Sequence, residues 1–351
     1  MFPESFAERW IQRVTEPGDV ILDPFCGRGT TPFQALLMRR RAVACDLNPV
    51  AFCVTRAKTN APNSSNVLRR LTGLEREFKI KDWTIEIDEL PEFFSVAFSR
   101  ITLMQLLYLR KRLHWRTSET DCMISALILG KLHGESEKSP SYLSNQMPRT
   151  ISTKPDYSIR FWKRHGFRAP DRNVFELTRR QLFFRYESPV PRGKATVLLS
   201  DMRELPRKRL SVGKPIRCVI TSPPYFDVTN FEEDQWLRLW FLGGPPYPTH
   251  GRISRDDRHR STAKYWDLIA DMWRVLGQIL GPKSDVIIRI GTKELLPDQI
   301  TKGLTASSMF SRRKVHLISS QASEIQGRQT RSFQPKAKGC LQEVDCHFNM
   351  R

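Results

Sequence analysis

The stretch "VILDPFCGRGT", Val20 to Thr30, constrains the fold more than any other in this chain. An apolar run stops at an acid and a proline. Two glycines follow one residue apart, and "TPFQALLMRR" then takes over. This reads as a buried strand, a tight turn and a helix over roughly 30–40. The unit repeats at once. A second short strand, Ala42–Cys45, ends in Asp46, and a helix follows through "PVAFCVTRAKTN". Strand, turn and helix twice over is the rhythm of a parallel α/β sheet. A short amphipathic helix, "ESFAERWIQRV" (4–14), precedes it and is ended by Pro17-Gly18.

The rhythm then breaks. Residues from about 61 to 192 carry helical patterns such as "TLMQLLYLRKRL" and "CMISALILGKLH", with a polar loop, "GESEKSPSYLSNQMPRT", between patterns. Strands resume at "ATVLLSD" (195–201), "RCVITSPPY" (217–225) and "DVIIRIG" (285–291), and two more are expected at "KVHLIS" (314–319) and "EVDCHFNM" (343–350). Helices are expected near 231–241 and 262–280, and a loop over the polar stretch 320–339. The expectation is an α/β fold of seven strands, built from 1–60 and 195–351, with a mostly helical insertion over 61–194. No internal repeat is present.

Lys and Arg total 57 against 37 Asp and Glu, a net charge of +20. That excess favours a polyanionic partner, with nucleic acid the default, against the alternative of solvated basic faces. No run of about 18 apolar residues suggests a membrane span. The N-terminus, with early acids, does not look like a secretion signal. The seven cysteines (26, 45, 53, 122, 218, 340, 346) form no CxxC pair. They read as buried thiols in a reducing compartment, cytoplasm or nucleoid, and neither as a metal site nor as a disulfide frame. His114 and His165 have no partner cluster for metal binding.

Two turns carry the chemistry. A glycine turn between strand and helix lets backbone amides approach a ligand closely. The phosphate signatures fail here: no Gly-Lys-Ser/Thr follows, and Gly27 and Gly29 have no third glycine after them. Asp46, about twenty residues on, is placed to accept hydrogen bonds from ribose hydroxyls. A ribose ligand without phosphates fits S-adenosylmethionine. The alternative is a plain turn with Asp46 capping the next helix. The second turn is Thr221-Ser-Pro-Pro-Tyr225. Two prolines stiffen the backbone just past a strand end and leave carbonyls without ladder partners. With the Ser222 hydroxyl and the Tyr225 ring, they suit a planar, amine-bearing base. A rigid loop with a packed tyrosine is the bland alternative.

Together "DPFCGRGT" and "TSPPY" resemble the paired signatures of the DNA amino-methyltransferases, DPFxGxGT for the cofactor and [S/D/N]PP[Y/F] for catalysis. "FPESFAERWI" resembles that family's helix over the methionine end of the cofactor, and "LLSDMREL" its strand-end acid segment. The resemblance covers roughly 1–58 and 195–300, and the motif order is that of the alpha arrangement. It implies a Rossmann-like methyltransferase sheet and S-adenosylmethionine as cofactor. Asp23, Phe25, Gly27, Gly29 and Thr30 would line the cofactor site. Asp46 would take the ribose hydroxyls and Asp201 would lie near the adenine amine. Ser222, Pro223, Pro224 and Tyr225 would hold a base flipped out of double-stranded DNA.

Ser at the first catalytic position leans to cytosine N4. Adenine N6, an RNA (tRNA) amino-methyltransferase and a non-catalytic nucleic-acid-binding protein stay open as alternatives. Methylation at carbon 5 is rejected, because none of the seven cysteines follows a proline. The insertion takes the place of a target-recognition region, a cognate restriction endonuclease is the further partner the resemblance implies, and a monomer is the default. Within the insertion, "YSIRFWKRHGFR" (157–168) interleaves aromatic and basic residues. It suits either phosphate and base contacts or an ordinary amphipathic helix. "RKRL" (207–210) and "RRKVH" (312–316) read as solvated faces. Asp227, Glu232 and Glu233 read as solvating the helix that carries Trp236, Leu237 and Trp240 into the core.

Overall fold

A computed structural model describes residues 2–135, 141–147, 154–188, 190–208, 210, 213–226, 231–249, 262–292, 295–324, 340 and 342–351. Seven strands form one sheet: β1 (Val20–Asp23), β2 (Arg41–Asp46), β3 (Thr196–Leu199), β4 (Ile216–Thr221), β5 (Leu280–Thr292), β6 (Val315–Glu324) and β7 (Gln342–Met350). Their order is β3-β2-β1-β4-β5-β7-β6. The first five run parallel, and β7 enters antiparallel between β5 and β6. The sheet is therefore mixed, not the parallel one that the early rhythm suggests. Both β7 pairings are antiparallel, and they close the sheet at the C-terminal end of the chain. The core is that of a Rossmann-like α/β fold.

Alternation along the strands sends side chains to two layers. Ile21, Cys218, Ile220 and Ile287 pack with Phe6, Trp10 and Ile11 of α1 (Glu4–Val14) and Ala35 of α2 (Thr30–Leu37). On the opposite face Val20, Leu22, Val219, Val286 and Ile288 meet α12 (Thr262–Ile279), with Leu268, Met272 and Trp273 fully buried, and α13 (Pro297–Ser307) through Ile300 and Leu304. β4 stops at Thr221 rather than running to 225, because Pro223 and Pro224 lack the N–H that a ladder needs. β6 extends to Glu324, into the stretch expected to be loop. The rest of that stretch, 325–339, lies outside the described residues.

Between α3 (Pro49–Thr59) and β3 the described chain is helical: α4 (Ser64–Glu77), α5 (Thr84–Asp88), α6 (Glu92–Ala97), α7 (Arg100–Arg112), α8 (Glu119–Lys131), α9 (Pro155–Arg164) and α10 (Val174–Tyr186). These helices share one apolar core with Val50 and Phe52 of α3 and with Trp236, Leu237, Trp240 and Phe241 of α11 (Phe231–Phe241). Asn residues start several of them. The Asn48, Asn63 and Asn173 side chains each accept a backbone N–H of the first turn. The helical segment thus shares its core with α3, which follows β2, and with α11, which follows the proline turn. Among the described residues no helix is long and apolar enough to cross a membrane.

Candidate active site

β1 and β4 are neighbours, and the strand order reverses between them. In open α/β sheets such a switch point leaves a crevice beyond the carboxyl ends of the strands. Both chemical turns emerge there, the glycine turn after Asp23 and the proline turn after Thr221.

The glycine turn is a tight, side-chain-braced loop. Gly29 N–H donates to the Cys26 carbonyl at 2.7 Å, and Cys26 N–H to the Cys45 carbonyl of β2 at 3.0 Å. Gly27 and Gly29 sit at φ +50° and +77°, in the left-handed region that favours glycine. A Cβ on Gly29 would lie 2.7 Å from the Thr55 hydroxyl oxygen, whereas beside Gly27 nothing lies within 4 Å. The turn is therefore closed underneath and open above. Two α3 side chains hold it: Thr55 donates to the Gly27 carbonyl at 3.1 Å and Lys58 to the Arg28 carbonyl at 2.9 Å.

Asp46 ends β2 below this turn. Its carboxylate accepts Gly27 N–H at 2.8 Å on one oxygen and Asn48 N–H at 2.9 Å on the other. Each oxygen keeps a further lone pair for a ligand hydroxyl. Burial raises its pKa, partly offset by these backbone donors. Asn48, not Asp46, caps α3, which argues against a capping role for the acid. Ser200 N–H also donates to the Asp46 carbonyl at 3.1 Å, bringing the end of β3 alongside. Asp201 follows, and its carboxylate accepts the backbone N–H and the guanidinium Nε of Arg203, each at 2.9 Å.

Asp23 is 2% exposed and points inward. It accepts the Thr221 hydroxyl at 2.7 Å and Phe25 N–H at 3.2 Å. Burial outweighs both bonds and pushes its pKa up to about 7. Thr31, one residue into α2, donates to the Ile220 carbonyl at 3.1 Å. The two turns are thus tied at their roots, through Asp23–Thr221 and Thr31–Ile220. Phe25 packs partly buried on the core that faces α12, and Thr30 opens α2.

In the proline turn the Ser222 oxygen lies 3.0 Å from the Tyr225 hydroxyl and 3.0 Å from the Arg289 carbonyl of β5. A serine has one proton, and a carbonyl can only accept. Both bonds form together when Ser222 donates to Arg289 and accepts from Tyr225. Burial raises the Tyr225 pKa, so the phenol keeps the proton it donates. Ser222 is left with one free lone pair, an acceptor. Tyr225 is seated against β5: a Cβ on Gly291 would come within 2.3 Å of its ring. Pro223 is buried and Pro224 half-buried beside it.

Under this turn lies a group that the reading of motifs missed. The Arg289 side chain is buried, bonds both carboxylate oxygens of Asp345 at 2.6 Å, and pairs with Glu343 at 2.9 Å. Its guanidinium stands 3.9 Å from the centre of the Phe6 ring on α1. A signal existed: an arginine inside the apolar "DVIIRIG", and acids two apart in "QEVDC" to meet it. Thr55, Lys58 and Thr31 gave none, since lone hydroxyls and lysines on helices are commonplace.

Arg313, expected to be solvated, donates to the Leu280 and Gly281 carbonyls at 2.9 Å, and Arg207 pairs with Glu204 at 3.0 Å. Trp236, Leu237 and Trp240 are buried as expected. Asp227 and the side chains of Glu232 and Glu233 lie outside the described residues, as does Arg209. Among the described residues no three His, Cys, Asp or Glu side chains cluster to hold a metal.

The family model for DNA methylases matches residues 1–55, the segment from α1 through the glycine turn to α3. Over that segment the chain is similar to DNA methylases. A type II methyltransferase of Streptococcus pneumoniae, M2.DpnII, is 39% identical over 64 residues, which is 18% of this chain and 24% of that protein. The chain therefore covers about a quarter of that relative's length. Among solved structures, TrmN from Thermus thermophilus aligns with a TM-score of 0.38 and 11% identity, over 100% of this chain and 49% of TrmN. The rRNA methyltransferase aviRa from Streptomyces viridochromogenes aligns at 0.33 and 13%, over 98% of this chain and 84% of aviRa. Likenesses this slight do not bear on substrate.

Proposed function

We propose that this chain transfers a methyl group from S-adenosylmethionine to an exocyclic amine of a base in DNA, with cytosine N4 the first choice. What carries the reading is the joining of the two turns. The Thr221 hydroxyl bonds the Asp23 carboxyl at 2.7 Å, so a cofactor-type glycine turn and a base-type proline turn share one crevice.

The donor set suits this cofactor. Asp46 offers two free lone pairs to a ribose diol, and open space lies beside Gly27. No lysine of a phosphate loop accompanies the turn. When bound, the cofactor supplies a methyl carbon made electrophilic by its sulfonium. The chain's own part concerns the amine, whose lone pair is delocalised into the ring. Ser222, its proton committed to Arg289, would accept one amine N–H, and the Pro223 carbonyl would accept the other. Both contacts draw the nitrogen lone pair out of conjugation and orient it. Tyr225 would stack on the extruded base. The bond between the Ser222 and Tyr225 hydroxyls sets how far these two groups stand apart.

The helices of 61–194 serve, on this reading, as the target-recognition region, because their core is continuous with α3 and α11 beside the two turns. A monomer and a partner endonuclease belong to the same proposal.

Transfer from labelled cofactor to unmethylated DNA and, in parallel, to tRNA, followed by nucleoside mass spectrometry, tests the reading. N4-methylcytosine supports it in full. N6-methyladenine keeps the mechanism and changes the base. Label in tRNA alone moves the protein to RNA. Cofactor that fails to bind by calorimetry would sink the reading.

A further inference from the structure

α9 packs into the helical core through Trp162, which is fully buried against Phe93 (ring centres 5.7 Å apart) and donates from its indole N–H to the Gln146 carbonyl at 2.9 Å. Ser158 completes that inner face. The outer face is different. Tyr157, Phe161 and His165 recur every fourth residue and form a row of rings, with centres 6.4 and 4.3 Å apart. Phe167, just past the helix end, adds a fourth ring 6.0 Å from Phe161. Tyr157 is 52% and Phe167 47% exposed.

Beside this row stand Arg160 and Arg164, four apart on the helix, and Arg168 lies four residues past its end; all three are exposed. Positions four apart stand about 6 Å apart along a helix axis, so Arg160 and Arg164 lie alongside Tyr157 and Phe161. Lys163 is paired with Glu92, but among the described residues no carboxylate pairs with the three arginines. Asp156, in the first turn, is the acid on this helix.

Exposed aromatic rings cost stability in water unless something covers them. An ordinary amphipathic helix would keep its rings inside, and here Trp162 is buried and Phe161 half-buried against the same core, while Tyr157, His165 and Phe167 stay exposed. A protein partner would have to cover three unpaired cations. A polyanion with flat bases satisfies both rows at once, as stacking platforms do in single-strand binding.

We propose that the outer face of α9 and the turn after it, from Tyr157 to Arg168, is a contact surface for single-stranded nucleic acid, with the rings taking bases and Arg160, Arg164 and Arg168 the phosphates. The surface is linked to the crevice. Trp162 packs on Phe93, and Phe93 on Trp236 of α11 at 4.9 Å, the helix that follows the proline turn. The proposal shares with the proposed function only its class of partner, nucleic acid, and does not depend on methyl transfer.

The test is fluorescence anisotropy of the full chain with a labelled single strand and with the matching duplex, at two salt concentrations. Three variants are compared: Tyr157→Ala/Phe167→Ala; Arg160→Ala/Arg164→Ala/Arg168→Ala; and a control of equal charge loss, Arg9→Ala/Arg76→Ala/Lys314→Ala. Stacking contributes ~1–3 kcal/mol per base, so the aromatic variant should bind the single strand at least about tenfold more weakly. The arginine variant should also flatten the salt dependence, and the control should change affinity less than about threefold.

Tyr157→Trp keeps a flat ring and should retain affinity, which separates stacking from a fold defect. Aromatic and arginine variants that bind the single strand as well as the control does would overturn the proposal, as would a loss confined to the duplex. Cofactor binding and methyl transfer, measured on the same variants, keep the two readings apart. Strand binding without transfer would condemn the enzyme reading alone, and strand binding unchanged by the aromatic and arginine substitutions, with transfer intact, would condemn this one alone.

Discussion

At the residue scale the site depends on where single protons go. Ser222 can act as an acceptor because the Arg289 carbonyl takes its proton and Tyr225 supplies another. Ser222→Ala removes the acceptor and should lower kcat by ~10²-fold, the usual cost of one aligned catalytic hydrogen bond, while cofactor affinity stays within about twofold. Tyr225→Phe removes only the supporting bond, worth ~0.5–1.5 kcal/mol, and should lower kcat by about tenfold or less. Equal losses in the two variants would show that Ser222 acts only through the tyrosine.

Gly29 is constrained twice, by its φ of +77° and by Thr55 beneath it. Gly29→Ala should destabilise the fold by at least ~1–2 kcal/mol in urea titrations, since a left-handed backbone alone costs an L-residue that much. Stability equal to the parent would mean that the turn is looser than described.

Asp23 gives a pH signature. Its pKa rises from 3.8 unfolded to about 7 folded, so the folded state holds the proton more tightly. That contribution is complete below about pH 4 and is lost as pH rises through 7, at up to ~1.4 kcal/mol per pH unit. Asp23→Asn should remove this part of the slope between pH 4 and 7. An unchanged slope would place the pKa elsewhere.

At the scale of elements, β5 does more than complete a sheet. Its residues 289 and 291 face the site, one by giving a carbonyl to Ser222 and the other by leaving room for Tyr225. The Arg289 side chain joins β5 to β7 through Asp345 and Glu343 and to α1 through Phe6. Arg289→Met leaves two largely buried carboxylates without a partner. It should cost ~3–5 kcal/mol in chemical denaturation, the range for breaking a buried ion pair from one side. A cost below about 1 kcal/mol would show the group to be well solvated.

The elements themselves were largely legible. Apolar runs marked β1, β2, β4 and the centre of β5, which are buried, whereas the exposed and polar second half of β6 carried no such signal. α13 was not foreseen: its inner face has only Ile300 and Leu304 fully buried among polar neighbours, too thin a stripe to show a period.

At the scale of the molecule the charge of +20 is an excess that internal ion pairs leave untouched, since each joins one cation to one carboxylate. Affinity for duplex DNA should therefore fall steeply with salt, with a log–log slope of about −0.9 for each phosphate contacted. A flat profile would mean that the basic surface meets no polyanion.

The sequence by itself determined the α/β class, the seven strands, the positions of the two turns and the resemblance they carry. These are local properties, written in apolar runs, glycines and prolines whose backbone preferences act within a few residues. The tertiary structure alone decided that β7 runs antiparallel between β5 and β6, that Asp23 faces Thr221 and that Asp201 is held by Arg203. It also decided that Ser222 rests on the carbonyl of a residue 67 positions away. Such contacts pair groups that no local preference links. They are fixed only when the sheet brings distant strand ends to one edge and burial obliges each polar group there to find a partner.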